Sequence, residues 1–104
     1  MADDPLEGPI AARLSSLIAE LGDDVAVEPR GNHVAFSRGR QFAQIELAPA
    51  ARVDVALVLP DAEETERLRP SSSFGTHAVS LAHEDEIDAE LTGWLRAAYA
   101  GAVR

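Results

Sequence analysis

Residues 33–47 read HVAFSRGRQFAQIEL, and residues 52–59 follow them with RVDVALVL. In both stretches apolar residues alternate with polar or small ones, which is the period-two pattern of strands that bury one face. The triplet Arg38-Gly39-Arg40 interrupts the first stretch, and Gly39 can adopt the positive φ that a tight turn needs. The spacing predicts three consecutive strands with short links, which is typical of an antiparallel meander.

Strand character extends to both sides of this region. Residues 25–27 form a short apolar run before a predicted turn at residues 30–32, and residues 76–81 alternate again. The acidic and then Pro/Ser-rich segment 61–73 is predicted to be mostly loop, with about one helical turn over residues 63–68. We therefore expect a sheet of about five strands.

A helix is predicted on each side of the strands. Pro9 suits the first turn of a helix, where its missing N–H is not needed, and Gly22 stands where a left-handed C-terminal cap is common. The second helix is predicted near the C-terminus, where Glu86 can cap the backbone near His83 and Gly93 suggests close packing against a neighbour. Each helix has one apolar stripe: Ile10, Leu14, Leu17, Ile18 and Leu21 in the first, and Ile87, Leu91, Trp94, Leu95 and Ala98 in the second.

These elements predict an α+β fold with two layers. A mainly antiparallel sheet carries the N-terminal and C-terminal helices on one face, because each apolar stripe must be buried against something. Residues 1–8 are expected to be a flexible leader and residues 9–104 a single domain. On the opposite face of the sheet the alternation places Phe42, Ala56 and Val58 among charged residues.

Composition excludes several functions. The 104 residues suffice for one core, and 46% of them are apolar. The net charge of −9 disfavours nucleic acid and anionic membranes as partners. The absence of Cys excludes disulfides, thiolate catalysis and Cys-ligated metals. With neither a signal peptide nor a membrane span in the pattern, we expect a cytoplasmic, bacterial-type protein.

No catalytic or metal-binding motif is present. The run Ser71-Ser72-Ser73 lacks the Gly-x-Ser-x-Gly elbow of serine hydrolases and is interpreted as a loop. His83-Glu84 is followed by Ile87 at the position where a zincin helix carries its second His. The sequence therefore predicts no catalytic residue, no metal and no cofactor.

Segments of the chain resemble a known family of small bacterial domains. HVAFSRGRQFAQIEL, VDVALVL, THAVSL and DEIDAELTGWLRAAYAG are together similar to domain-of-unknown-function family 5655 over residues 10–102. The most specific matches are Arg40, Phe42-Ala43, His77, Asp88, Leu91, Trp94-Leu95 and Ala98-Tyr99. The resemblance implies a fold and not a reaction, because no activity is established for that family. A second, weaker resemblance is to the MmcQ/YjbR-like family, which has a similar plan and a proposed DNA-binding wing.

Arginines around the predicted turns are the candidate anion site. A guanidinium group binds carboxylate or phosphate in a bidentate manner. Arg38 and Arg40 flank one turn, and Arg52 joins them if the next hairpin folds back beside them. Arg30 lies at the far end of its strand, roughly 20 Å away at about 3.3 Å per residue. The alternative is that these arginines are solvated and pair with local acids, which contributes little energy.

Phe42, His77 and Trp94 are candidate pocket residues. Trp94 lies on the apolar stripe, so it is interpreted mainly as a largely buried core residue and secondarily as a platform for a stacked ligand.

Three functions remain open. The first is a non-enzymatic binding or protein-interaction module, monomeric or weakly dimeric. The second is a domain that binds a small anion or nucleotide through Arg38 and Arg40. The third is a DNA-binding wing protein, which the charge balance disfavours.

Overall fold

The hairpin predicted from residues 33–47 forms around Gly39. The computed structural model of the protein describes residues 8–31, 33–48 and 52–102. Strands β2 (His33–Arg38) and β3 (Arg40–Ala48) pair antiparallel, and Arg38 lies opposite Arg40. Gly39 alone separates them and has a φ of 79°, a conformation that side chains other than glycine rarely adopt. The predicted role of Gly39 in the turn is confirmed.

The described strands form one antiparallel sheet in the order β1-β2-β3-β4-β6-β5. The other four strands are β1 (Ala26–Pro29), β4 (Arg52–Leu57), β5 (Arg69–Pro70) and β6 (His77–Leu81). The sheet therefore has six strands and not about five. The additional strand, β5, has two residues, which is too short to produce an alternating pattern that a sequence could reveal.

Both helices pack into one core with a single face of the sheet. Helix α1 is Pro9–Ala19 and helix α2 is Ala89–Gly101. The helix residues in the core are Ala11, Leu14, Ile18, Leu91, Leu95 and Ala98, and the sheet residues include Val34, Phe36, Ile45, Val55, Leu57, Val79 and Leu81. The predicted α+β, two-layer fold is confirmed. Neither described helix is long and apolar enough to cross a bilayer.

Phe42 lies in the core, so its predicted place on the opposite sheet face is wrong. The register between β2 and β3 shifts, because Phe36 pairs with Ala43 while the next residue, Ser37, pairs with Gln41. Phe42 is thus the extra residue of a β-bulge, a device that re-aims a side chain. Its side chain is 1% exposed and joins the core beside that of Ala43.

Helix α1 begins as predicted and ends differently. Gly8 is the N-cap and Pro9 the first helical residue. The helix ends at Ala19 with Glu20 as the C-cap, and Gly22 is not among the described glycines with a positive φ. Gly22 is not a left-handed cap. A Cβ at this position would collide with the hydroxyl of Tyr99, so the missing side chain makes room for that contact.

Two separate elements replace the single C-terminal helix. A 3-10 turn covers Glu84–Glu86, and the Glu86 carboxylate accepts hydrogen bonds from the backbone N–H groups of Ala82 (2.6 Å) and His83 (2.9 Å), as the capping prediction required. Asp88 then caps α2 by accepting from the backbone N–H of Leu91 at 3.1 Å. Gly93 has no close neighbour in the part of the chain that the structure describes: a Cβ there meets none of the described atoms within 4 Å.

The segment between β4 and β6 is irregular. Its predicted helical turn over residues 63–68 does not form, and the backbone N–H of Thr65 instead donates to the carbonyl of Leu68. The following loop crosses the sheet, because the hydroxyl of Ser73 donates to Glu46 on β3 at 3.1 Å. Strands β4 and β6 lie between β5 and β3, so residues 71–75 run over these two strands on the face without helices. The predicted leader, residues 1–8, lies outside the described residues except for Gly8, and residues 103–104 of the predicted domain lie outside them as well.

Candidate functional site

Arg38 is held in a cluster that joins three parts of the chain, which we call the Asp24 latch (Asp24, Arg38 and Tyr99). The Arg38 Nε donates to a carboxylate oxygen of Asp24 at 2.9 Å, and its Nη1 donates to the carbonyl of Tyr99 at 3.1 Å. Its guanidinium also lies 4.3 Å from the centroid of the Tyr99 ring. Arg38 therefore already has a carboxylate partner and an aromatic partner within the protein.

Asp24 is the acceptor at the centre of the latch. Its second carboxylate oxygen accepts from the Tyr99 hydroxyl at 2.6 Å. The hydrogen bond from Tyr99, and after it the one from Arg38, lower the pKa of Asp24 from 3.8 to about 2. The latch thus fixes the end of β2 against α2 and positions the residues that follow Arg38.

Arg40 begins β3 on the other side of the turn and borders a pocket of about 410 Å³. Three segments form this Arg40 pocket: the start of β3, the segment 58–62 after β4, and the last turns of α2. Its lining residues are Arg40, Gln41, Phe42, Val58, Leu59, Pro60, Asp61, Ala62, Ala97, Ala98, Gly101 and Ala102. The bulge is what brings Phe42 to this pocket, and the Phe42 and Tyr99 rings form a T-shaped contact with the centroids 5.8 Å apart.

Most of the wall of the Arg40 pocket is apolar. Phe42, Leu59, Ala98 and Ala102 are buried core residues that also border the pocket. A concave, mainly apolar site with a few polar groups is the usual form of a small-molecule site, and such sites range from about 300 to 1,000 Å³. The arrangement can hold an apolar group and exclude water from it.

Three polar side chains complete the lining. The Gln41 amide nitrogen donates within the protein, to the Ala43 carbonyl at 3.4 Å and to the Gln44 side chain at 3.2 Å. Arg40 and Asp61 are exposed at the pocket, and the side chain of neither forms a hydrogen bond or ion pair with any residue that the structure describes. These two charged groups are therefore available to a ligand.

A second pocket, of about 390 Å³, lies under the loop that carries Ser71–Ser73. Arg52 and Arg69 border it together with the acids Glu46 and Asp54, and Arg52 donates to the Ser80 hydroxyl at 2.9 Å. Hydroxyl groups and charges of both signs border this pocket, so it offers no purely positive surface to an anion.

The three predicted anion ligands lie in three different surroundings. Arg38 belongs to the Asp24 latch, Arg40 borders the Arg40 pocket, and Arg52 borders the pocket under the serine loop. Arg52 pairs with Ala48, the last residue of β3, whereas Arg40 is the first residue of that strand. Eight residues of extended chain separate the two ends, or about 26 Å at 3.3 Å per residue. The β3–β4 hairpin turns at the far end from Arg40, so Arg52 does not join Arg38 and Arg40. Arg30 pairs with Glu28 at 2.9 Å, as the solvated-turn alternative suggested.

His77 and Trp94 border neither pocket. His77 is buried in β6, and its Nδ1 is hydrogen-bonded to the Thr76 hydroxyl at 2.8 Å. Trp94 packs against the core and is partly buried, so the structure places it with the core as the apolar stripe predicted, although it is not fully buried. The guanidinium of Arg67 lies 5.7 Å from the Trp94 ring and also donates to Asp88 and Glu90. Trp94 thus has the Arg67 side chain of this protein beside its ring.

The serine run forms a turn. The hydroxyl of Ser71 donates to the Phe74 carbonyl at 2.6 Å and accepts from the backbone N–H of Ser73 at 3.2 Å. Within the part of the chain that the structure describes, no three His, Asp or Glu residues are grouped so as to hold a metal ion.

Leu59, Asp61 and the small residues at the end of α2 were not predicted as site residues. The only sequence signal for them is the run of small residues from Ala97 to Ala102, interrupted by Tyr99, which leaves space beside the helix. That signal does not say which other segment faces the helix.

One comparison with known proteins gives a match. A family model described as a domain of unknown function (DUF5655) matches residues 6–101, which is nearly the whole chain. No curated protein and no solved structure is significantly similar to the chain.

Proposed function

This chain belongs to the DUF5655 family, whose description assigns no function, and we propose from the site that it is a non-enzymatic binding module whose ligand enters the Arg40 pocket. The observation that carries the proposal is a pocket of about 410 Å³ with apolar walls and two charged side chains that have no partner among the described residues. The pocket can bury the apolar part of a ligand, which supplies affinity, while the charged groups orient it.

We place this module in the cytoplasm, as a monomer or weak homodimer. The earlier alternative of a phosphate or nucleotide site at Arg38 and Arg40 is less well supported. Arg38 is held by Asp24 and Tyr99, so a free anion would meet one available arginine instead of two. The alternative of a DNA-binding wing protein is disfavoured by the net charge of −9.

A blocking substitution tests the proposal. Ala97 and Ala100 are both exposed alanines on α2, but only Ala97 borders the pocket. Ala97→Phe introduces a ring at the pocket wall, and Ala100→Phe introduces the same ring elsewhere on the helix. The probes are N-phenyl-1-naphthylamine, which is uncharged, and its sulfonated relative 8-anilinonaphthalene-1-sulfonate, both of which fluoresce in apolar surroundings.

We expect both dyes to bind the wild-type protein, because their ring systems fill the apolar part of the pocket. Ala97→Phe should weaken binding about tenfold or more, equivalent to about 1.4 kcal/mol, and Ala100→Phe should leave it unchanged. Circular dichroism confirms that both variants are folded. Equal dye affinities for the two variants, or no dye binding to the wild type, would refute the proposal.

A further inference from the structure

The charges at the Arg40 pocket point to a class of ligand, provided that this pocket is the binding site proposed above. We infer that it binds a small zwitterion with an apolar side chain, such as a free apolar amino acid or a dipeptide. Arg40 would pair with the carboxylate of the ligand, Asp61 with its ammonium group, and the apolar wall with its side chain.

The first part of the argument is the state of Arg40. The sequence has 18 acidic residues against 9 arginines, and Arg13, Arg30, Arg38 and Arg67 each form an ion pair with an acid. Arg40 has no such partner among the described residues although it borders the same pocket as Asp61. Arginine binds carboxylate with two parallel hydrogen bonds, so this position suits a ligand carboxylate.

The second part concerns the opposite charge. Asp61 borders the pocket without a described partner, and α2 ends there at Gly101 with no basic residue in its last turn. The carbonyl groups at a helix C-terminus carry partial negative charge, equivalent to roughly half an elementary charge. Asp61 would repel a simple anion and attract an ammonium group, whereas the helix end already has the Arg38 guanidinium on its Tyr99 carbonyl. A ligand with both charges matches the pocket better than one with either charge alone.

The third part is size. A pocket of about 410 Å³ lies near the lower end of the range for ligand sites, about 300–1,000 Å³. That volume suits an amino acid or a dipeptide. Val58, Pro60 and Ala97, which are partly or fully exposed at the pocket, provide the apolar surface that would contact the ligand side chain.

Four probes that share one side chain separate the contributions. L-Phenylalanine is a zwitterion, N-acetyl-L-phenylalanine an anion, L-phenylalanine amide a cation and N-acetyl-L-phenylalanine amide is neutral. Each is titrated as a competitor of N-phenyl-1-naphthylamine and monitored by amide NMR shifts at the pocket. We expect phenylalanine to bind about tenfold more tightly than the neutral compound, since two charge pairs each add to its affinity.

Two charge variants, each with a matched control, assign the groups. Arg40→Gln should weaken phenylalanine and its N-acetyl derivative but not the amide, whereas Asp61→Asn should weaken phenylalanine and the amide but not the N-acetyl acid. The controls are Arg96→Gln and Glu63→Gln, which change exposed residues that do not border the pocket and have no described partner. They should change no affinity.

The outcomes distinguish this inference from the proposed function. Three results would refute the inference that the ligand is a zwitterion. The neutral compound binds as tightly as phenylalanine, only one of the two charge variants has its expected effect, or no competitor displaces the dye at millimolar concentration. In each of these cases the binding module stands as long as Ala97→Phe still weakens dye binding. If Ala97→Phe has no effect on the dye, the pocket itself is not the site.

Discussion

Gly22→Ala is the most direct test of how tightly the Asp24 latch is packed. A Cβ on residue 22 would lie 2.7 Å from Cζ of Tyr99 and 2.9 Å from a carboxylate oxygen of Asp24, and closer still to the Tyr99 hydroxyl. Overpacking of this kind typically costs about 1–3 kcal/mol of the free energy of unfolding. The Tyr99 ring must move, and its hydrogen bond to Asp24 is lost with that movement.

The same substitution should have the opposite sign when the ring is absent. Gly22 has no positive φ, so alanine fits its backbone, and replacing glycine at a compatible position stabilises by about 0.4–1 kcal/mol through the unfolded chain. In a Tyr99→Leu background the remaining close contact is with the Asp24 carboxylate, whose Oδ1 is then no longer held by the Tyr99 hydroxyl and can move aside. Gly22→Ala should therefore be stabilising in that background. The double-mutant cycle then gives a coupling energy of at least about 1.4 kcal/mol.

Equilibrium unfolding in urea, monitored by circular dichroism and by Trp94 fluorescence, measures all four proteins. Gly93→Ala is the control, because a Cβ there meets no described residue within 4 Å and alanine should stabilise an exposed helix by about 0.5–1 kcal/mol. If Gly22→Ala stabilises the wild-type protein as Gly93→Ala does, or destabilises equally in both backgrounds, the close contact with Tyr99 is not real.

The pKa of Asp24, lowered to about 2, gives a pH test: its carboxylate contributes to stability fully above the unfolded pKa of 3.8, and the contribution is lost as the pH falls towards 2. Tyr99→Phe removes the largest cause of the shift, so carboxyl-carbon NMR should find a higher pKa for Asp24. Urea titrations of this variant should show a smaller loss of stability between pH 3.8 and about 2. An unchanged pKa would contradict the role of the Tyr99 hydroxyl in lowering it. Arg67→Met should lower the melting temperature by a few degrees and make Trp94 more accessible to acrylamide, because it removes the charged hydrogen bonds and the guanidinium beside the indole. Arg96→Met changes a residue on the same helix as Trp94 that has no described partner, so it should change neither quantity. Equal quenching in the two variants would show that Arg67 does not cover the Trp94 ring.

The alternation in residues 33–47 and 52–57 was sufficient to predict the meander, because each strand buries one face and period two is then imposed on the sequence. The helices followed from their apolar stripes for the same reason. The prediction failed at Phe42, since a bulge adds one residue without leaving a mark in the pattern. It also failed at Arg69–Pro70, where two residues pair with β6 and no periodicity can arise.

The candidate site was only partly predictable. Arg40 was chosen from its position beside a turn and Phe42 was a candidate pocket residue, and both border the pocket. Arg38 was grouped with Arg40 because the two flank Gly39, but its partners, Asp24 and Tyr99, are 14 and 61 residues away. Contacts between segments that distant depend on how the elements pack, which no local pattern encodes. The segment around Asp61 was missed for the same reason.

The Asp24 latch also bears on the order in which the chain folds and on how long the folded state lasts. The β2–β3 hairpin closes through one residue, whereas the bond from Tyr99 to Asp24 joins positions 75 residues apart. Loop-closure entropy delays contacts of large sequence separation, so we expect the latch to form after the transition state for folding. Substitutions at Tyr99 should then leave the refolding rate nearly unchanged and accelerate unfolding. The latch would then stabilise the packing of α2 mainly by slowing unfolding. Its loss would raise the unfolding rate, and so shorten the lifetime of the native protein, more than it would lower the folding rate.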